Sequence, residues 1–145
     1  MFLGEYKHTI DEKGRMILPA CFRDLLQGGA YVSLGFDNNL IVWPITSFEQ
    51  ILVHLSTLSV TDSNTRLLRR MFFSQAARVD FDRSGRILLP QALRSVVNLQ
   101  ENAIITGVGD TLEIWSEELW AAQEQLIKDG KVNSDRFTKL ELPIK

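Results

Sequence analysis

The chain has one cysteine, two histidines and no long apolar run among its 145 residues. The lone Cys21 excludes an intrachain disulfide and fits a reducing compartment. It lies in a segment of helical character with no Cys–His neighbour, and reads as a small core or semi-buried residue. Neither His8 nor His54 has a second His, Cys or carboxylate at metal-ligand spacing, so no metal is expected. Phosphate-binding loops and nucleophile elbows are missing as well. Gly107-Val108-Gly109 is a hairpin turn, since no Gly-rich helix start follows it. Together these absences argue against an enzyme, a cofactor and a small-molecule substrate. Met1-Phe2-Leu3-Gly4-Glu5 lacks the apolar core of a signal peptide. No stretch reaches the roughly 18 apolar residues of a membrane span. The expectation is a soluble cytoplasmic protein with no membrane partner.

An excess of positive charge is also missing. The 16 Lys and Arg stand against 18 Asp and Glu, a net charge of −2. The whole chain is not a basic adhesive for nucleic acid, so the distribution of charge matters more than its sum. Between Arg66 and Arg86 there are six Arg and two Asp. From Asp110 to Lys145 there are eight acids and five bases. A solvated helix face followed by an acidic end accounts for such runs in the simplest way. Hydrophobic residues make up 45%, enough for a core and too many for a disordered chain. The length suits one or two small domains.

What the chain does have is a repeat. Asp11-Glu12-Lys13-Gly14-Arg15-Met16-Ile17-Leu18-Pro19 returns as Asp82-Arg83-Ser84-Gly85-Arg86-Ile87-Leu88-Leu89-Pro90, at a constant offset of 71. Around the first copy, Tyr6 to Ile10 alternates like a strand and Asp11 to Gly14 reads as a turn. Asp accepts backbone amides within such a turn, and Gly supplies the positive φ that closes a hairpin. Arg15 to Leu18 is the return strand. Pro19 opens a helix with Phe22, Leu25 and Leu26 on its apolar face. Strands are predicted over Ala30 to Phe36 and Leu40 to Trp43, joined at Asp37-Asn38-Asn39.

Ser47 to Val60 reads as a helix with Ser47 and Gln50 at capping-box spacing and Phe48, Ile51, Leu52 and Leu55 on one face. After a break at Thr61-Asp62-Ser63 a second helix, to about Phe73, carries Leu67, Leu68 and Met71. Arg66 and Arg70 form a like-charged pair four residues apart on it, relieved by solvent or by an anion.

The second copy follows as strand Arg78 to Phe81, turn Asp82 to Gly85 and strand Arg86 to Leu89. Its helix after Pro90 has Leu93, Val96 and Val97 under Phe22, Leu25 and Leu26, and Arg94 under Arg23. One inserted residue makes the later offset 72, placing Gly107 under Gly35 and Trp115 under Trp43. The second hairpin is Ala103 to Gly107 with Thr111 to Trp115. Ser116 starts a last helix to about Lys128, bearing Leu119, Trp120, Leu126 and Ile127. The residues from Gly130 onward read as a polar tail, with Leu140 to Ile144 left to dock or stay mobile.

The fold class is therefore α+β with a mainly β core. Each half is too small for its own core. The expected solution is a pseudo-two-fold small β-barrel with flanking helices. Residues 5–47 and 76–119 form the two β-α-β-β half-domains, 48–75 a helical linker, and 120–145 the last helix end and tail.

These residues closely resemble the MraZ family of bacterial transcriptional regulators. The resemblance rests on Asp11 to Arg15 with Leu18-Pro19, the linker Arg66 to Ala76, and Asp82 to Arg86 with Leu89-Pro90. Gly107 to Asp110 and Glu113-Ile114-Trp115 complete it. It implies a doubled AbrB-like swapped-hairpin domain, ring-shaped homo-oligomers, and binding to short direct repeats of double-stranded DNA. These repeats lie upstream of the family's own division and cell-wall gene cluster, which implies a nucleoid-associated protein. The family's Asp-x-x-x-Arg motif carries over to Asp11 and Arg15 and to Asp82 and Arg86. Lys13 matches the basic position of the first turn. In the second, Ser84 stands there and Arg83 places a charge next door.

The DNA-binding candidates are thus Arg15, Lys13, Arg86 and Arg83. The turn-shaping candidates are Asp11, Gly14, Asp82 and Gly85. A presented guanidinium bonds bidentately to guanine O6 and N7 or to a phosphate. The turn alone fits a merely structural Asp–Arg pair equally well, worth about 0–1 kcal/mol if exposed. Two functions from different classes follow: a sequence-specific DNA-binding regulator, or a ring-forming interaction scaffold without specific DNA readout.

Overall fold

A computed structural model describes residues 1–143. Its elements are β1 (Glu5–Thr9), β2 (Arg15–Ile17), α1 (Ala20–Leu25), β3 (Ala30–Leu34), β4 (Leu40–Pro44), α2 (Ile45–Ser56) and α3 (Ser63–Phe73). They continue with β5 (Ala77–Val79), β6 (Arg86–Leu88), α4 (Gln91–Val96), β7 (Asn102–Gly107), β8 (Leu112–Ser116), α5 (Glu117–Lys128) and α6 (Gly130–Phe137). A short 3-10 turn, Thr138–Leu140, follows.

Six strands form one antiparallel sheet in the order β1-β7-β8-β4-β3-β5, and β2 pairs with β6 as a separate two-stranded ribbon. Exchanging the first four strands for the second four reverses the sheet order and leaves it otherwise unchanged. Two cross-strand pairs lie on this approximate two-fold axis: Met16 opposite Ile87 in the ribbon, and Ile41 opposite Glu113 in the sheet. The symmetry lapses at the edges, where β1 matches five residues of β7 but β5 only three of β3.

The core lies between ribbon and sheet. Met16, Leu18, Phe22 and Leu26 enter it from one half, and Ile87, Leu89, Leu93 and Val97 from the other. Val32, Leu40, Val42, Ile105, Leu112 and Ile114 meet them from the sheet. The sheet's other face is covered by helices. Tyr31 stacks on Phe48 of α2 at 4.7 Å, and Trp43 meets Phe72 of α3 edge-on. Trp115 packs against Trp120 of α5. Among the described residues no helix is long and apolar enough to cross a membrane.

Several expectations are corrected. Among the described residues the sheet does not close into a barrel: β1 and β5 are its edges, and β2 and β6 pair only with each other. Proline explains the short ribbon. Pro19 and Pro90 follow each strand almost at once, cannot donate to a ladder, and start α1 and α4. Nor do the Asp-Gly turns close hairpins between neighbouring strands. β1 leaves to pair with β7, so the first turn connects the sheet to the ribbon.

The capping box at Ser47 is not formed, because α2 starts directly from Pro44 at the end of β4. Leu25, Val96, Leu52 and Leu67 are exposed rather than packed, and so is Cys21. The polar segment after Gly130 is α6, not a tail. The Asp129 carboxylate caps it through the Val132 amide, at 3.2 Å. Buried Asn133 donates to the carbonyls of Leu126 and Ile127, groups left open at the end of α5. Of the Leu140 to Ile144 segment, Ile144 lies outside the described residues.

Met16 and Ile87 are both about 1% exposed and face each other on the axis. Met16→Ala and Ile87→Ala should each cost about 2–5 kcal/mol in urea unfolding. The double variant should fall short of the sum, because neighbours that share one cavity couple.

Candidate nucleic-acid interface

Each Asp-x-x-Gly-Arg turn is built around its carboxylate. Asp11 Oδ1 accepts the amides of Lys13 (3.0 Å) and Arg15 (2.9 Å), and Oδ2 accepts Arg15 Nε at 2.7 Å. Asp82 does the same with the amides of Ser84 and Arg86, both at 2.9 Å, and with Arg86 Nε at 2.8 Å. The Gly14 amide donates to the Asp11 carbonyl and the Gly85 amide to the Asp82 carbonyl, at 2.9 and 3.0 Å. Gly14 and Gly85 have φ of +87° and +77°, which a side chain would strain.

These bonds hold both Asp carboxyls below their ordinary value of 3.8. The amide of the turn's own Arg is the largest cause; partial desolvation opposes it, and the guanidinium adds to the lowering. Both guanidiniums are thus anchored through Nε. Among the described residues, no hydrogen bond engages the Nη groups of Arg15 or Arg86. Arg86 Nη1 lies 3.9 Å from Asp11 Oδ2, a loose link between the two turns. The Arg15 and Arg86 side chains are about one-third exposed.

The ribbon brings the turns together. The Leu89 amide donates to the Gly14 carbonyl at 2.9 Å, tying the end of one copy to the turn of the other. Each turn glycine also seats an arginine from the opposite half. A Cβ on Gly14 would stand 2.7 Å from the Arg94 guanidinium, and one on Gly85 would run into Arg23. Arg94 is held there by an Nε bond to the Leu89 carbonyl at 2.9 Å. The positive φ is what requires glycine at both positions, since the flexible guanidinium ends of Arg94 and Arg23 can move aside for a small side chain.

Arg15, Arg86, Lys13 and Arg83 therefore share one surface region, with Lys13 and Arg83 exposed in the turns. Arg23 and Arg94 join them, a pair visible in the sequence only as a matched Arg at offset 71. These six cations stand against Asp11, Glu12 and Asp82. The region is bounded on one side by a cleft of about 880 Å³ whose lining includes Glu12, Glu101, Glu117 and Glu118.

Other arginines of the basic run are occupied elsewhere. Arg66 Nη1 donates to the carbonyls of Val60 and Thr61, both at 3.0 Å, and Arg69 Nη1 to that of Leu55 at 3.3 Å. Both brace the α2–α3 junction. Arg78 Nη2 donates to the Gly28 carbonyl at 2.8 Å. Arg66 is thus hydrogen-bonded in part by carbonyls of its own chain.

A depressed carboxyl pKa adds stability that is complete above the ordinary value and is lost as pH falls through the folded one. The wild type should lose urea resistance on acidification below about pH 4. Asp11→Asn with Asp82→Asn should flatten that limb and be weaker at neutral pH; an unaltered acid profile would contradict this role.

The chain matches the family described as "MraZ protein, putative antitoxin-like" twice, over residues 1–71 and 72–139. It is 45% identical over 127 residues to a protein named transcriptional regulator MraZ from Thermomicrobium roseum, covering 88% of this chain and 89% of that one. A protein of the same name from Roseiflexus sp. (strain RS-1) is 47% identical over 120 residues, 83% of this chain and 84% of its own. Another from Finegoldia magna is 41% identical over 135 residues, 93% of this chain and 92% of its own. With a repeated turn, an interlocked ribbon and matches of this extent, the chain belongs to the MraZ family.

Proposed function

We propose that this protein is a sequence-specific DNA-binding transcriptional regulator and that the β2–β6 ribbon with its two turns is the reading surface. The observation that carries this reading is the pair of guanidiniums held by Nε to Asp11 and Asp82, with the Nη groups left for a partner. A guanidinium positioned this way is suited to bidentate contact with guanine or phosphate. Arg15 and Arg86 are the reading residues. Lys13 and Arg83 take phosphate. Asp11, Gly14, Asp82 and Gly85 shape the turns.

The aspartates need not repel the phosphates. Their oxygens already accept three N–H bonds each, one from a cation. The naming of the relatives as transcriptional regulators supports the same reading. The target is a set of short direct repeats in double-stranded DNA upstream of its own division and cell-wall gene cluster. A homo-oligomer, ring-shaped and nucleoid-associated, would line up several ribbons. It would gain affinity through effective concentration with no new kind of contact.

Arg15→Ala and Arg86→Ala should each weaken binding to the DNA upstream of its own gene by about five- to 150-fold, equivalent to about 1–3 kcal/mol. Fluorescence anisotropy reads the affinity, and light scattering should show an unchanged assembly. Arg15→Lys keeps the charge but loses the planar fork, so it should rescue little. Unchanged affinity in the alanine variants would remove the assigned role.

Raising salt should weaken binding, and Lys13→Ala should reduce the slope of log affinity against log salt by about 1. A flat salt response would favour the interaction scaffold.

A further inference from the structure

Two apolar side chains stand on the ribbon where a merely solvated strand would carry polar ones. Ile17 and Leu88 are 44% and 54% exposed, while their ribbon neighbours Met16 and Ile87 are buried. An antiparallel strand with one face in the core ordinarily turns polar residues to water. Here the outward positions are Arg15 and Ile17 on β2, and Arg86 and Leu88 on β6. Ile17 and Leu88 are the same position of the repeat, at offset 71.

The register places Arg15 directly opposite Leu88, and Ile17 directly opposite Arg86. The outer face is therefore a four-residue checker of two guanidiniums and two aliphatic groups, related by the two-fold axis.

We propose that Ile17 and Leu88 are specificity-determining residues that read the 5-methyl groups of thymines, next to the contacts made by Arg15 and Arg86. This rests on the DNA-reading role of the ribbon. The major groove, about 12 Å wide, admits a two-stranded β-ribbon, and the thymine methyl is the apolar feature of its base edges. Residues two apart on a strand are separated by about 6.8 Å, close to two nucleotide steps of about 3.4 Å. Directly opposed side chains have Cβ atoms about 4.5–5.5 Å apart. Each aliphatic group thus sits within a base step or two of a guanidinium, where it adds a thymine preference to a guanine or phosphate contact.

A protein partner fits this patch poorly. Two aliphatic residues give far less apolar surface than the roughly 300–600 Å² of an ordinary largest patch. The six cations in and against the turns suit a polyanion.

The test uses the upstream DNA of its own gene, footprinted and then synthesised with deoxyuridine in place of the protected thymines. That replacement removes only the methyl groups. Wild-type affinity should fall about fourfold per contacted methyl, the factor equivalent to burying one CH₂-sized group. Ile17→Ala and Leu88→Ala should each weaken binding to the thymine fragment at least about fourfold. The double variant should bind both fragments equally. Light scattering and thermal melting of each variant separate this from altered assembly or folding.

Equal wild-type affinity for the two fragments would overturn the proposal. So would a footprint without thymine, or a double variant that keeps full methyl sensitivity. A changed assembly with unchanged DNA affinity would assign the pair to a protein interface instead. A wild type that binds neither fragment would refute the DNA-reading role itself, and this inference with it.

Discussion

One carboxylate in each half sets the geometry on which the exposed surface depends. Asp11 and Asp82 each accept two backbone amides and one guanidinium nitrogen, so a single side chain closes the turn and aims the arginine. An exposed ion pair alone contributes little, about 0–1 kcal/mol. The amide bonds alter that balance, because the carboxylate is preorganised by the backbone before it meets the guanidinium. Holding Nε restricts a flexible side chain in advance. Less rotamer entropy then remains to be lost on binding.

The second constraint is that neither half is complete. β1 finds its partner in β7, β2 finds its partner in β6, and Arg94 and Arg23 lie on the glycines of the opposite turn. Both turns are therefore set by one interlocked core rather than by two independent ones. Met16 and Ile87 lie beneath the ribbon, so packing in the interior positions the side chains outside it. In the proposed DNA-reading role this gives two arginines a fixed mutual placement, which two hairpins on a flexible linker would lack.

Much of the local structure was legible in the chain. Each strand of the two copies falls within a few residues of its expected place, since β-formers, Asp-Gly turns and Pro starts act over short distances. The hydrogen bonds within the first turn are equally local: Asp11 accepts the amides of Lys13 and Arg15. Less legible were the helix faces. A 3.6-residue period places Leu25 and Val96 beside Phe22 and Leu93, yet α1 and α4 are only six residues long and bury a narrower stripe. The polar composition after Gly130 concealed α6, whose stability draws on Asn133 bonding back to α5.

The sequence by itself determined the repeat, the local turn pattern and the order of elements as far as α5. Those properties depend on side chains within about five positions of one another or on direct comparison of the two copies. Tertiary structure alone decided that β1 and β2 go to different partners, that the sheet stays open, and that Arg66, Arg69 and Arg78 serve the scaffold. It also decided that Ile17 and Leu88 face outward beside Arg86 and Arg15. Strand pairing brings together residues far apart in the chain, Arg15 with Leu88 in the ribbon and Glu5 with Thr106 at the sheet edge. Which face is buried depends on what the far strand supplies, and no local pattern carries that information.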